Sequence, residues 1–319
     1  MTHVSVRRGM LYVTAAAAIW GTGGPAAALL YQVSGLGPLA VSFWRFVFGA
    51  LLLFAAARLP GLGGHRPAWP VLLLAGAGLA VSQAAYFGAV ATSGVAVATV
   101  ITLGASPALV ALGARVLLAE RLGRRGAVSM GLALAGLALL VGGPSGASAL
   151  GVALALVSAV AYAGVTLQSR HAGRSQAPAA PRGTAIAAPA DGAASAGEAY
   201  GRAMWGFAVG GALLLPVAAA EGLVPSGGEA ASVALLGYLG AMPTALAYSL
   251  FFAGLASVRA TTASVVALLE PAGATVIGVL LLGERLPAAS AVGAAVLLAS
   301  VALLAAGESR DVRGRSTSG

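Results

Sequence analysis

The chain has 319 residues, 59% of them hydrophobic and only 8% charged, too little polar surface to cover a soluble fold of this length. It contains no cysteine, which excludes disulfides, iron–sulfur clusters and thiol catalysis. Its formal charge of +9 comes from 18 basic residues, all arginine, placed between apolar runs rather than on a basic face with base-stacking aromatics, so no nucleic-acid partner is expected.

Charge-poor stretches of about 20 residues, each enough to cross a hydrocarbon core of ~30 Å, recur along the chain. They predict ten helices, at 10–31, 38–58, 69–91, 95–118, 126–143, 147–168, 200–220, 231–256, 261–282 and 287–306. The first follows Arg7 and Arg8, contains Trp20, Gly21, Gly23, Gly24 and Pro25, and leads straight into another span, so it reads as a retained helix and not a secretory leader. The second carries Trp44-Arg45-Phe46, with Arg45 about 10 Å from the near end of its span. The third holds Ser82, Gln83 and Tyr86, the last two sharing a helix face, and the fourth holds Thr99, Thr102, Ser106 and Pro107 before ending in Glu120-Arg121-Leu122. Tyr162 and Thr166 lie in the sixth span, Thr244 and Tyr248 in the eighth, and Glu270-Pro271 in the ninth.

Two segments depart from this pattern. Residues 169–199 are rich in Ala, Pro, Gly and Ser, include Pro178, Pro181 and Pro189, and are expected to form a flexible cytoplasmic linker. The polar stretch 307–319 is expected to be a disordered tail. Of the 18 arginines, only Arg285 falls on the far side of the ten-span arrangement, and Arg45 alone lies within a span. The bias of the rest places both termini in the cytoplasm. Arginine without lysine, with abundant Ala and Gly, points to a GC-rich bacterial genome and hence to the bacterial inner membrane.

The chain also matches itself. Phe87 to Leu140 aligns without gaps on Phe251 to Leu304, placing Ser93 on Ser257, Pro107 on Pro271 and Glu120-Arg121-Leu122 on Glu284-Arg285-Leu286. Weaker matches upstream pair Trp44-Arg45-Phe46 with Trp205-Gly206-Phe207, and Ile19-Trp20-Gly21 with Ala161-Tyr162-Ala163. Residues 1–146 thus read as one five-helix repeat and 147–306 as a second. Because five is odd, the copies enter the membrane in opposite orientations, an architecture many secondary transporters use for alternating access.

Ser106-Pro107 with Leu118-Ala119-Glu120-Arg121-Leu122, Leu269-Glu270-Pro271 with Leu282-Gly283-Glu284-Arg285-Leu286, Trp20-Gly21 and Trp44-Arg45-Phe46 together resemble the signature of the EamA family in the drug/metabolite transporter superfamily. The resemblance runs from about residue 10 to 306, with the linker as an insertion. It implies an all-α membrane protein of ten helices with a central cavity open alternately to each side. It further implies efflux, as a permease, of amino acids, other metabolites or amphipathic drugs.

Glu270 stands roughly 13 Å into its span, near the bilayer centre, where a carboxylate must be paired, protonated or wetted by a cavity. It is a candidate for exchanging a proton or meeting a cationic amine, or alternatively for capping a helix break at Pro271. Arg45 is a candidate for binding a substrate carboxylate or pairing with Glu270, or alternatively for snorkelling to headgroups or joining helices. Trp20, Gln83, Tyr86, Thr99, Tyr162 and Tyr248, with Ser82, Thr102, Thr166 and Thr244, are the polar and aromatic residues expected to line a cavity, each with helix packing as the alternative. Pro25, Pro107 and Pro271 are hinge candidates or fixed kinks. Glu120-Arg121 and Glu284-Arg285 read as interfacial anchors.

Without lysine there is no standard P-loop, so nucleotide bound by this chain does not drive transport. His3, His65 and His171 lie in tails or loops with no metal-ligand spacing, so neither metal, cofactor nor catalytic residue is expected. The expected partners are the lipid bilayer, a small-molecule substrate and the proton as coupling ion, with the chain working as a monomer or a homodimer. Import of a nutrient or vitamin, and a membrane accessory role without transport, are the competing readings.

Overall fold

In hydrocarbon every backbone polar group must find its partner within the protein, and an apolar chain without closed sheets meets that demand with helices. A computed structural model describes residues 6–58, 68–120, 123–141, 148–175, 192–282 and 288–316, and these are helical with short connections and no strand. The helices are α1 (Val6–Ser34), α2 (Pro38–Ala56), α3 (Trp69–Leu117), α4 (Arg124–Val141), α5 (Ala149–Ser175) and α6 (Gly192–Glu221). After them come α7 (Glu229–Leu239), a π-helical turn (Gly240–Leu246), α8 (Ala247–Leu255), α9 (Ala260–Ala267), α10 (Leu269–Leu282) and α11 (Ala288–Ser316). Arg66, Arg121, Arg182, His3, His65, Glu284-Arg285-Leu286 and the three linker prolines lie outside the described residues.

Eight segments among the described residues are long and apolar enough to cross a bilayer. Two of them come from α3, which folds back on itself into the spans Trp69–Ser93 and Val97–Leu117. The Tyr86 hydroxyl lies 3.0 Å from Thr99 Oγ1, thirteen residues away, whereas a straight helix would separate those positions by about 20 Å. The turn is held at its tip, where Ser93 Oγ lies 3.0 Å from Ser148 Oγ and accepts the Ser148 amide at 2.9 Å. The expected fifth and tenth spans correspond to α4, which opens on two arginines, and to α11, which carries the apolar stretch Ala291–Leu303. These two helices pack on each other. A Cβ added at Gly136 would meet the Gly293 carbonyl oxygen and the Leu297 amide at 2.8 Å, so the backbones touch where larger residues would hold them apart.

The boundaries of the two irregular segments are corrected. Helix α5 continues to Ser175 and α6 begins at Gly192, so both ends of the expected 169–199 linker are helical, and 176–191 lie outside the described residues. Helix α11 continues to Ser316, into the stretch expected to be a disordered tail. In both places a membrane helix supplies the nucleus, and extending it costs far less than starting one.

Two kinds of tie join the distant parts of the chain. At one end of the bundle Glu120 and Arg170 form an ion pair at 2.9 Å, with side chains only 9% and 11% exposed. Arg170 Nη1 also donates to the carbonyls of Leu255 and Ala256, at 2.8 and 3.0 Å, closing the C-terminus of α8. The second carboxylate oxygen of Glu120 accepts the Ala260 amide at 3.2 Å, at the first turn of α9. One carboxylate thus anchors α3, α5, α8 and α9 together, a structural role consistent with the anchor reading. At the other end Glu221 Oε2 accepts the Ala40 amide at 2.7 Å, Trp44 Nε1 donates to the Leu223 carbonyl at 2.8 Å, and the Ser226 amide donates to the Ser34 carbonyl at 2.8 Å.

Ala119, which leads into Glu120, is the one described non-glycine residue in the left-handed region, at φ 52°. Its equivalent in the internal repeat is Gly283. Ala119→Gly removes the Cβ clash and is expected to stabilise the protein by about 1 kcal/mol, offset in part by unfolded-state entropy, while Ala119→Val destabilises it; denaturant unfolding in detergent checks both. Glu120→Ala leaves Arg170 without its carboxylate and α9 without its cap, and is expected to cost about 3 kcal/mol in the same assay. Adding Arg170→Ala to it should restore part of the loss.

Candidate functional site

The ninth predicted span does not run as one helix. Pro271 has no amide hydrogen to offer the Ala267 carbonyl, so α9 ends there, with the Leu268 amide turned back to Val265 at 3.1 Å, and α10 begins at Leu269. Glu270 therefore occupies the first turn of a new helix, where the backbone dipole favours a negative charge. Residues 261–268 are buried throughout, whereas Glu270 and its neighbours Leu269 and Pro271 keep accessible surface. Among the described residues the Glu270 carboxyl has no hydrogen bond and no ion pair. The backbone behind it is held closely: a Cβ at Gly21 of α1 would lie 3.0 Å from the Glu270 carbonyl oxygen and from Gly273 Cα.

The equivalent position in the first half behaves differently. Ser106 is buried and donates to the Thr102 carbonyl at 2.6 Å, and Pro107 lies inside the unbroken span Val97–Leu117. Pro25 is likewise inside continuous α1. Of the three proline candidates, only Pro271 follows an interruption.

Glu270 lies within electrostatic reach of Arg45, Tyr86, Tyr162 and Tyr248. Arg45 does not form an ion pair with it. Its Nε donates to Thr244 Oγ1 at 3.4 Å, and its two terminal nitrogens have no hydrogen-bond partner among the described residues. Five of the eight candidates, a carboxylate, a guanidinium and three tyrosines, are thus electrostatically coupled, with the two charges not paired to each other.

The remaining candidates are committed to packing to different degrees. Trp20 donates its indole N–H to the Pro243 carbonyl at 2.8 Å and packs its ring on Tyr248 and Phe251, centroids 4.9 and 5.1 Å away. It is a wall of the site with no free donor. Tyr248 also meets Phe207 edge-on at 5.1 Å. Gln83 Nε2 donates to Ser42 Oγ at 3.4 Å, and Tyr86 and Thr99 satisfy each other. Ser82 pairs with Ser158, and Thr102 and Thr166 donate to the carbonyls of Ala155 and Tyr162. Thr244, grouped by sequence with the lining residues, instead holds Arg45; Pro243, centred in a predicted span, was the available sign of an irregular turn there.

Comparisons with known proteins agree with this fold. The model of the EamA-like transporter family matches residues 7–142 and 193–306. A relative from Bacillus subtilis (strain 168), the uncharacterized transporter YwfM, is 30% identical over 302 residues, covering 93% of each chain. An uncharacterized transporter from Archaeoglobus fulgidus is 28% identical over 267 residues, covering 82% of this chain and 85% of its own. A solved crystal structure superposes with a TM-score of 0.72 over 93% of this chain and 96% of the other, a likeness of fold alone at 20% identity. By the family match across most of its length, this chain belongs to the EamA-like transporter family.

Proposed function

We propose that the protein is a secondary active transporter that exports small metabolites, amino acids or related compounds, or amphipathic drugs by alternating access, with a proton exchanged at Glu270. The observation that carries this reading is the Glu270 carboxyl: it belongs to a residue at a helix break deep in the bundle that is not fully enclosed, and it has no partner among the described residues. A carboxyl in that position either holds a proton or meets a cation, and exchange of one for the other couples the two movements.

Ten spans in two inverted halves, with both termini in the cytoplasm of a bacterial cell, complete the proposal. Support for the inverted halves comes from two contacts. Gly9 of α1 lies against Ser257 after α8, and Gly151 of α5 lies against Ser93 at the tip of α3. Ser93 matches Ser257 in the internal repeat, and Gly9 matches Gly151 in the register that pairs Trp20 with Tyr162, so each contact is the other with the halves exchanged. The family model's two separate matches are in keeping with this.

Purified protein in liposomes with an imposed pH gradient should move members of a panel of amino acids and cationic amines. Glu270→Gln should retain binding and lose the dependence of flux on the gradient. Equal responses of wild type and variant would remove the proton from the mechanism, and no flux across a broad panel would remove transport.

A further inference from the structure

Arg45 is held from behind. The π-helical turn Gly240–Leu246 surrounds Pro243 and places the Thr244 hydroxyl 2.7 Å from the Leu239 carbonyl, five residues back. Threonines in the α-helical parts of this chain reach only four residues back, as Thr166 does to Tyr162 and Thr275 to Pro271, so the wider turn sets where this hydroxyl points. Thr244 is fully buried, and its methyl group fills the space beside Gly49 of α2, where an added Cβ would lie 2.8 Å from it. With its proton given to Leu239 and its methyl group enclosed, Thr244 presents a lone pair in one direction. Arg45 Nε donates to it at 3.4 Å.

A guanidinium fixed at Nε keeps its other edge free, and the two terminal nitrogens of Arg45 have no partner among the described residues. Parallel N–H groups at that spacing match the two oxygens of a carboxylate. The tether runs to a fully buried hydroxyl. Glu270 lies within electrostatic reach yet forms no ion pair with Arg45, so neither charge neutralises the other directly.

We infer that Thr244, set by the π-helical turn, is a positioning residue that holds Arg45 as the receptor for a carboxylate on the transported molecule. The inference rests on the transport reading above and names one chemical group its substrate carries.

Binding to protein in nanodiscs, followed calorimetrically, compares L-leucine and L-phenylalanine with L-leucinamide and L-phenylalaninamide, which keep the amine and lose the carboxylate. Wild type should prefer the acids by about tenfold or more, as expected for a charge-assisted bidentate contact. Thr244→Val preserves shape and should reduce the preference to within about threefold through weaker acid binding; Thr244→Ser should keep it. Arg45→Lys, which keeps the charge and removes the fork, should lose it as Thr244→Val does, and serves should the valine variant not fold. A wild type without acid preference, whether both classes bind or neither does, overturns the inference, as does an undiminished preference in Thr244→Val or Arg45→Lys. Acid preference in a protein that moves nothing in liposomes would instead overturn the transport reading and leave the receptor standing.

Discussion

A carboxyl group with no partner among the described residues, deep within a bundle of apolar helices, is the constraint around which the rest of this protein is arranged. Left in hydrocarbon as an anion, Glu270 would cost several kcal/mol, and among the described residues no arginine or amide offsets that cost by direct contact. The break at Leu268 and Pro271 reduces it by setting the residue on the positive end of a new helix. The remaining relief must come from what enters the site: a proton, water or a cationic group. A transporter needs an affinity that can be satisfied in two ways, and that is the role proposed for this side chain.

The surrounding packing keeps the group from collapsing onto a permanent partner. Trp20 cannot turn to it, because its N–H is bound to Pro243 and its ring is enclosed by Tyr248 and Phe251. Arg45 donates to Thr244 and makes no ion pair with the carboxyl. The close approach of Gly21 to the backbone of α10 fixes the depth of the broken helix against α1. At the end of the bundle, the Glu120–Arg170 tie has the opposite character: each of its charges is matched, and it joins four helices from distant parts of the chain. The two acidic residues differ in pairing and not in burial: Glu120 is matched by Arg170 and ties helices together, while the Glu270 carboxyl has no partner among the described residues.

Much of this was legible from residue order. The apolar runs placed the eight bilayer-long segments to within about five residues, since hydrocarbon thickness sets their length, and the self-match singled out Glu270 by placing Ser106 opposite it. What stayed hidden depends on contacts between distant segments. Nothing near Glu120 announces that its carboxylate caps α9, 140 residues away, and nothing near Trp20 announces the Pro243 carbonyl. Thr244 looked like any polar residue deep in a span, because a π-helical turn changes where a hydroxyl points without changing hydropathy. Helix extends into the tail and into both ends of the linker stretch, which local composition does not reveal because it omits the anchored helices alongside.

Proton exchange at Glu270 is most directly tested by measuring protons released when a substrate binds. Purified protein in weakly buffered detergent, titrated with a cationic amine or amino acid that binds, should acidify the medium near neutral pH, and Glu270→Gln should bind the same compound without doing so. Binding to both proteins with equal acidification, or with none, would contradict the account.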